Sequence, residues 1–369
     1  MTPAGGIGLR YGVRDGARMT PEQRARLREG LAGRTIAVVG ATGAVGLETL
    51  ALLAEAGVAA ADVRAFASER TAGVSVPMGA DSITIERAEA ARIEACDAVV
   101  LAVGAGVARD LAPAIVDHGA LVVDHSSAFR QDPRVPLVIP EINADAAAGV
   151  RLIASPNCTT TIALVAADPI RRRFGLRSMG VTSYQAASGA GLTALESLEQ
   201  ETRMALAGRA PAPGVFPVPA AFNVFPHESP VEPGARASAE EVKIARESRR
   251  IWGDPAPAVE ACCLRVPVFR THTVALRLEL ETPVTWPDID SAVSGSPAID
   301  VVEARSPAPG SLDAAGRCAV LVGRLRPADP TAPADGAHVV WSLLAAGDQL
   351  LKGAAWNGLQ IAIAALAGG

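Results

Sequence analysis

The feature that most restricts this chain is a short apolar run, Thr35 to Val39, that ends in Gly40-Ala-Thr-Gly43-Ala-Val-Gly46 and passes directly into the helical pattern GLETLALLAEAGV. Strand, glycine turn and helix in that order open a dinucleotide-binding unit. Glycine lets the backbone approach a pyrophosphate, and the helix N-terminal N–H groups and macrodipole hold its charge. The candidate cofactor contacts are therefore Gly40, Thr42, Gly43, Ala44, Val45 and Gly46. A tight structural turn is the plain alternative.

The same rhythm continues through VRAFAS, DAVVLAV, GALVVDHS and RLIAS, with the helical stretch VARDLAPAIVDHG between two of them, which predicts a parallel, covered sheet as far as about Ser155. Beyond Cys158 the texture changes to a Pro-rich stretch, a charged helix SAEEVKIARESRRIW and a long β-pattern, CCLRVPVFRTHTVALRLEL. Leu276, Leu278 and Leu280 alternate there with Arg277, Glu279 and Glu281, the mark of an antiparallel strand wet on one face. The expected fold is α/β: a Rossmann-type nucleotide-binding domain over 34–156, then an α+β catalytic and dimerisation domain with a mainly antiparallel sheet over 157–349. An amphipathic helix within 350–369 returns to complete the first domain. Residues 1–33 read as an N-terminal extension in which Thr20 caps and Pro21 opens a short helix.

Composition removes several function classes. Lys and Arg total 34 against 39 Asp and Glu, so the formal charge of −5 offers no general attraction for nucleic acid or anionic lipid. No apolar run approaches the roughly 20 residues that span a bilayer. Five cysteines are an odd number at no metal-ligand spacing, and adjacent Cys262 and Cys263 form no ordinary bridge. Reduced thiols in the cytoplasm, no metal and a small-molecule partner are the expectation.

Three local patterns carry chemistry. Where an NAD enzyme places a carboxylate on the ribose 2′-OH, this chain has Ser68-Glu69-Arg70-Thr71. Ser68, Arg70 and Thr71 suit a 2′-phosphate, which favours NADP over NAD, although a Glu69 carboxylate turned inward would repel it. Cys158 lies between the strand RLIAS and a following helix, where the dipole stabilises a thiolate nucleophile. A buried spectator thiol is its plain alternative. Among the histidines, His272 shares strand parity with Leu276, Leu278 and Leu280, which sets it on the inward face as the acid/base partner or as a hydrogen-bonded core residue.

In order along the chain, GATGAVG, ASERTAG, DHSSAFRQDPRVPLVIPEIN, SPNCTTT, SYQAASGAG, AFNVFP, EEVKIARESRRI, RVPVFRTH, VGRLR and LLKGAAWNGLQIA resemble the aspartate-β-semialdehyde dehydrogenase family. The resemblance implies a nucleophile at Cys158, an acid/base histidine at His272 and an acyl-orienting glutamine at Gln185. It implies phosphate ligands at Arg130 and Lys243, with Asn157 beside them. Ligands for the substrate's amino and carboxylate groups fall on Glu240 and Arg265. Ser188 and Gly189 fall where the nicotinamide end is held, and Gln349 stands in the nucleotide-side motif where many relatives have asparagine. His125 also replaces an asparagine, and Cys158 is followed by Thr-Thr in place of Ser-Thr.

Spacing adds two readings of its own. Glu240 and Lys243 are i, i+3 on one helix, as a shared ligand or a plain surface ion pair would have them, while Ser238 and Glu241 form a capping box. Arg265 and His272 lie seven residues apart, so a single regular strand would send them to opposite faces, and a shared site needs a break that Pro267 supplies. The implied activity interconverts L-aspartyl 4-phosphate and L-aspartate 4-semialdehyde through a Cys158 thioester, with NADP and inorganic phosphate, in amino-acid biosynthesis. A homodimer or a tetramer is implied as well. An N-acetyl-γ-glutamyl-phosphate reductase is the close enzymatic alternative, and a non-catalytic nucleotide-binding paralogue the distant one.

Overall fold

The structure, a computed structural model, describes residues 18–93, 95–231, 233–234, 236–303, 307–333 and 335–368. The first half of the N-terminal extension, residues 1–17, lies outside the described residues. The described chain forms two compact units, 18–157 with 353–368, and 158–352.

Unit 1 begins with α1 (Pro21–Gly30), opened by a reciprocal cap in which Thr20 accepts from Gln23 N–H and Gln23 accepts from Thr20 N–H. This helix is packed, not appended. Leu27 is fully buried, and a Cβ on Gly30 would lie 2.7 Å from Ile363 of the C-terminal helix, Trp356–Ala367. That C-terminal helix is buried almost all round, by Trp356, Leu359, Ile361 and Ile363 among others, so the amphipathic stripe expected from sequence is replaced by a core helix.

The glycine turn separates β1 (Ile36–Val39) from α2 (Ala44–Glu55). There follow β2 (Val63–Ala67), β3 (Ser75–Met78), β4 (Asp81–Arg87), β5 (Ala98–Leu101), α3 (Ala105–Asp117), β6 (Leu121–Asp124) and β7 (Leu152–Ala154). The sheet runs β3-β4-β2-β1-β5-β6-β7. All neighbours are parallel except the β3–β4 hairpin, which turns at Gly79 (φ +63°) and puts an antiparallel strand on the edge. The strands β1, β5 and β6 are buried throughout, as a sheet covered on both faces requires. Chain order reverses at β1, between β2 and β5, which makes the end of β1 the switch point of the sheet.

Unit 2 opens with α4 (Cys158–Phe174) and β8 (Leu176–Gln185), then α5 (Leu192–Leu206), the two-residue β9 (Phe225–Pro226) and α6 (Ala239–Trp252). It continues through β10 (Ala258–Arg265), β11 (His272–Val284), α7 (Trp286–Ser294), β12 (Ile299–Val301), β13 (Val320–Pro327) and β14 (His338–Gly347). The order is β12-β13-β14-β11-β8-β10-β9, with β12–β13 and β8–β10 parallel and the remaining pairs antiparallel. α4 covers β8, β11 and β14, and α6 covers β10. The opposite face is half-exposed: Thr182, Cys262, Ala275, Arg277, Ser342 and Leu344 line an open hollow of about 550 Å³ there.

Candidate active site

In unit 1 the turn after β1 is made of backbone. Gly40 has φ +86° and donates its N–H to Phe66 O of β2 at 2.8 Å, and a Cβ there would lie 2.2 Å from Ala102 O. A Cβ on Gly46 would lie 2.2 Å from Gly40 O. Only glycine fits either position. Gly43 is the N-cap of α2 and supplies no side-chain acceptor, so no side chain caps the N–H groups of the first turn, over Ala44, Val45 and Gly46. An unblocked helix start at the switch point fits a dinucleotide pyrophosphate. After β2, Ser68 leads into a single turn, Glu69–Thr71, on which Arg70 is exposed. Glu69 points outward, 78% exposed and 3.6 Å from Arg87, so the carboxylate does not turn in on the site.

Arg130, in the loop after β6 of the same unit, is buried. Its Nε donates to Ser155 O at 2.9 Å and its Nη2 to His125 O at 2.6 Å, which ties the loop after β6 to the end of β7. Asn157 is also buried. Asn357 of the C-terminal helix donates to Ser155 Oγ at 3.1 Å and Val138 O at 3.3 Å, holding the strand end that leads to Cys158. His125 is enclosed: a Cβ on Gly358 would lie 2.4 Å from its Nε2, which has no partner among the described residues. Burial, then the charge of Arg130, push its pKa down to about 3.

Unit 2 gathers side chains. Cys158 opens α4 with its thiol half-buried, and Thr159, Thr160 and Thr161 behind it are buried. The long β-pattern proves to be two strands on either side of β8, with Arg265 of parallel β10 beside Gln185 and Thr273 of antiparallel β11 beside Tyr184. Residues 266–271 leave the sheet and cross over the turn that follows Gln185: Val266 N–H donates to Gln185 O, Val268 O accepts from Ala187 N–H, and Phe269 O from Ser188 N–H. That crossover removes the parity conflict. Gln185, Arg265 and His272 all come out buried.

His272 accepts from Ala186 N–H through Nδ1 at 3.0 Å, so the neutral ring carries its proton on Nε2. Nε2 is buried without a partner among the described residues. Burial first, then the charge of Arg265, push the pKa of His272 down to about 3, which keeps the ring neutral. Gly189 gives the ring room, since a Cβ there would lie 3.1 Å from His272 Cε1 and 3.2 Å from Nε2. On α6, Glu240 is buried between Gln185 Nε2 at 3.4 Å and the half-exposed Lys243 Nζ at 3.2 Å. Its neighbour Glu241 has the structural part: it closes the capping box with Ser238 and accepts from Cys263 N–H at 3.0 Å.

The two units match two family models: the NAD binding domain of semialdehyde dehydrogenase over residues 35–150 and the semialdehyde dehydrogenase dimerisation domain over 168–352. An aspartate-semialdehyde dehydrogenase of Synechocystis sp. is 39% identical over 330 residues, spanning 89% of this chain and 96% of its own. Another, from Mycolicibacterium smegmatis, is 37% identical over 344 residues, with 89% and 97% covered. The chain belongs to the aspartate-semialdehyde dehydrogenase family. Among solved structures, aspartate semialdehyde dehydrogenase II of Vibrio cholerae, complexed with ASA, has a TM-score of 0.84 at 31% identity, covering 89% of this chain and 97% of its own. The fold class and the enzyme class expected from sequence both stand, and no helix among the described residues is long and apolar enough to cross a membrane.

The resemblance assigns no role to Arg270, Thr271, Gly316 or Asp348, on which the unit 2 site rests. Thr271, a β-branched residue at φ +80°, is held there by donating its N–H to Gln349 Oε1 at 2.8 Å, and Gln349 Nε2 donates to Ser188 Oγ. Arg270 Nε and Gly316 N–H both donate to the fully buried Asp348 Oδ2, at 2.6 and 2.7 Å. Gln349 therefore joins the residue before His272 to the turn at Ser188. Glu228, unmarked by any motif, holds Arg265. No local pattern announces these roles, because each depends on a partner tens of residues away.

Proposed function

We propose that this chain catalyses the NADP-dependent interconversion of L-aspartyl 4-phosphate and L-aspartate 4-semialdehyde, with Cys158 as nucleophile. The observation that carries the reading is the convergence of His272, Arg265, Gln185 and Glu240 on the single turn 185–189, on the sheet face that the helix of Cys158 covers. A buried carboxylate at Glu240 and a guanidinium at Arg265 suit the amino and carboxylate groups of a free amino acid. An N-acetylated substrate would bring Glu240 no cation.

In the oxidative direction the Cys158 thiolate, favoured by the start of α4, adds to the aldehyde carbon, and the C=O electron pair moves to oxygen. The Nε2–H of His272 is the donor for that oxyanion, and neutral imidazole suffices, because the proton is shared without being given up. The chemistry that NADP supplies when bound is removal of hydride from the same carbon, which leaves a thioester. Gln185 orients its acyl group. Phosphate, held by Arg130, Lys243 and Asn157, attacks the thioester carbon, the C–S pair returns to Cys158, and the phosphate proton passes to solvent. Gly40, Thr42, Gly43, Ala44, Val45 and Gly46 hold the pyrophosphate, Ser68, Arg70 and Thr71 the 2′-phosphate, and Ser188, Gly189 and Gln349 the nicotinamide end.

A homodimer follows from the dimerisation domain, and we place the partner copy on the half-exposed face of the second sheet. The decisive assay follows NADP reduction with aspartate semialdehyde, with and without phosphate, beside the N-acetylglutamate analogue. Turnover that requires phosphate and the free amino acid is expected. Steady turnover without phosphate, giving aspartate, would replace this reading with a hydrolytic dehydrogenase.

A further inference from the structure

Arg265 is 2% exposed and its donors are almost all taken. Nε donates to Glu228 Oε2 at 3.2 Å, and Nη2 to Glu228 Oε1 at 2.6 Å and to His227 Nε2 at 3.0 Å. Nη1 donates to Ala186 O at 2.7 Å, and the guanidinium lies over the buried Phe216 ring, 5.0 Å from its centroid. A guanidinium has five N–H groups. Among the described residues one N–H of Nη1 is left, and a single N–H cannot grip a carboxylate by both oxygens. The edge that would receive a substrate carboxylate already holds one.

We infer that Glu228 is a resident carboxylate that occupies Arg265 in the free enzyme and yields its place to the carboxylate of the substrate. The inference rests on Arg265 being the substrate's carboxylate ligand, as proposed above. Glu228 is able to leave: it follows the two-residue strand β9, its side chain is 21% exposed, and beyond Arg265 the ionisable side chain beside it among the described residues is His227 at 3.9 Å, a ring that burial keeps neutral. Burial alone would raise its pKa, but Arg265 outweighs that and the net shift is downward, so Glu228 stays ionised. Arg265 cannot be abandoned at that depth, because an unpaired buried charge is costly. A ligand that brings its own carboxylate replaces the lost pair, and one that lacks it does not. Glu228 thereby sharpens specificity while weakening the apparent affinity for the true substrate, which has to compete with it.

The test is Glu228→Gln, which keeps shape and removes charge, assayed with aspartate semialdehyde, phosphate and NADP. KM for aspartate semialdehyde should fall at least fivefold with kcat unchanged within twofold, and inhibition by L-2-aminobutyrate, which has the amino and carboxylate groups without the aldehyde, should tighten alongside. An unchanged or raised KM, or a fall in kcat, would show that Glu228 positions Arg265 instead and would overturn the inference. Glu228→Ala gives the same readout should the glutamine variant lose its thermal transition. Arg265→Ala separates the two layers. If it leaves KM for aspartate semialdehyde unchanged, the carboxylate reading of Arg265 is wrong. If it raises KM while Glu228→Gln fails to lower it, only the resident carboxylate is lost.

Discussion

In unit 1 the turn after β1 is shaped by close approaches of backbone to backbone: Gly40 against Ala102, Gly46 against Gly40. In unit 2 the turn after β8 is lined by side chains drawn from β10, β11, α6 and the end of β14, each held by a partner far along the chain. A backbone site tolerates no side chain and needs few partners. A side-chain site needs many partners, and its buried polar groups are costly unless each is satisfied. Damage should therefore stay local in unit 1, as lost binding, and reach the chemistry in unit 2.

The sharpest break in that contrast comes from Cys158→Ser. Loss of the thiol removes the covalent route, so kcat should fall by about 10⁴-fold or more while NADP affinity and melting temperature barely move. Cys96, Cys263 and Cys318 are buried, with burial pushing Cys263 up to about 12, so alkylation of the wild type should reach Cys158 ahead of these three. Substantial turnover by the serine variant would take Cys158 out of the mechanism.

His272→Asn is the next largest, with kcat down by roughly 10²–10³-fold, the loss typical of one oxyanion donor. The histidine also ties activity to acid stability. His272 and His125 are both held well below the usual histidine range, at about 3. Between about pH 3 and 6.5 the unfolded chain binds the protons that the folded chain refuses, so stability is full above pH 6.5 and falls as pH drops, by roughly 1.4 kcal/mol per pH unit for each ring. Urea titrations from pH 7.5 to 4.5 should show that slope, and His272→Asn and His125→Asn should each flatten it by the same amount. No flattening in either variant would mean that the rings are protonated in the folded enzyme.

For the backbone site the corresponding change is Gly46→Ala. The added methyl would sit 2.2 Å from Gly40 O, so the turn has to shift, at a cost of about 1–3 kcal/mol. NADP binding, followed by cofactor fluorescence, should weaken by roughly ten- to a hundredfold on that account. The rate of Cys158 alkylation in the absence of cofactor should stay as in the wild type. A slower alkylation rate would show that the change at Gly46 reaches beyond the cofactor turn.

The same contrast governs how much could be read from the sequence. Unit 1 was legible almost strand by strand, because a covered parallel strand is an apolar run and a glycine turn has no substitute. The β3–β4 hairpin escaped because its strands alternate buried apolar residues with exposed polar ones, as in Ser82-Ile83-Thr84-Ile85, and so lack a continuous apolar run. In unit 2 the parity of Arg265 and His272 demanded a break near Pro267, and the structure supplies a crossover there that parts two strands. Thr271 in the left-handed region had no signal at all, since a β-branched residue is the last to suggest positive φ. Family motifs named Arg265 but not the carboxylate that holds it. Pairings over 37 and 78 residues, Glu228 with Arg265 and Thr271 with Gln349, have no local trace.

The smallest effect is expected at the edge of unit 1, where the proposed cofactor site includes a charged side chain. Arg70 stands on the turn Glu69–Thr71, exposed, directly after β2, where the ribose of a dinucleotide is reached. Glu69 is drawn off toward Arg87, so the turn faces a ligand with positive charge. A 2′-phosphate would meet Arg70 through charge-assisted hydrogen bonds, and a 2′-hydroxyl would gain little. Because the site is open to water, the discrimination sits at the low end of such contacts, about 1.5 kcal/mol or roughly tenfold. Arg70→Ala should therefore weaken NADP by about tenfold and leave NAD within twofold, an effect that raising the salt concentration should shrink. Dissociation constants for both cofactors, measured at low and high salt, decide it. Equal losses for NADP and NAD would make Arg70 a prop for the turn instead of a reader of the 2′-phosphate.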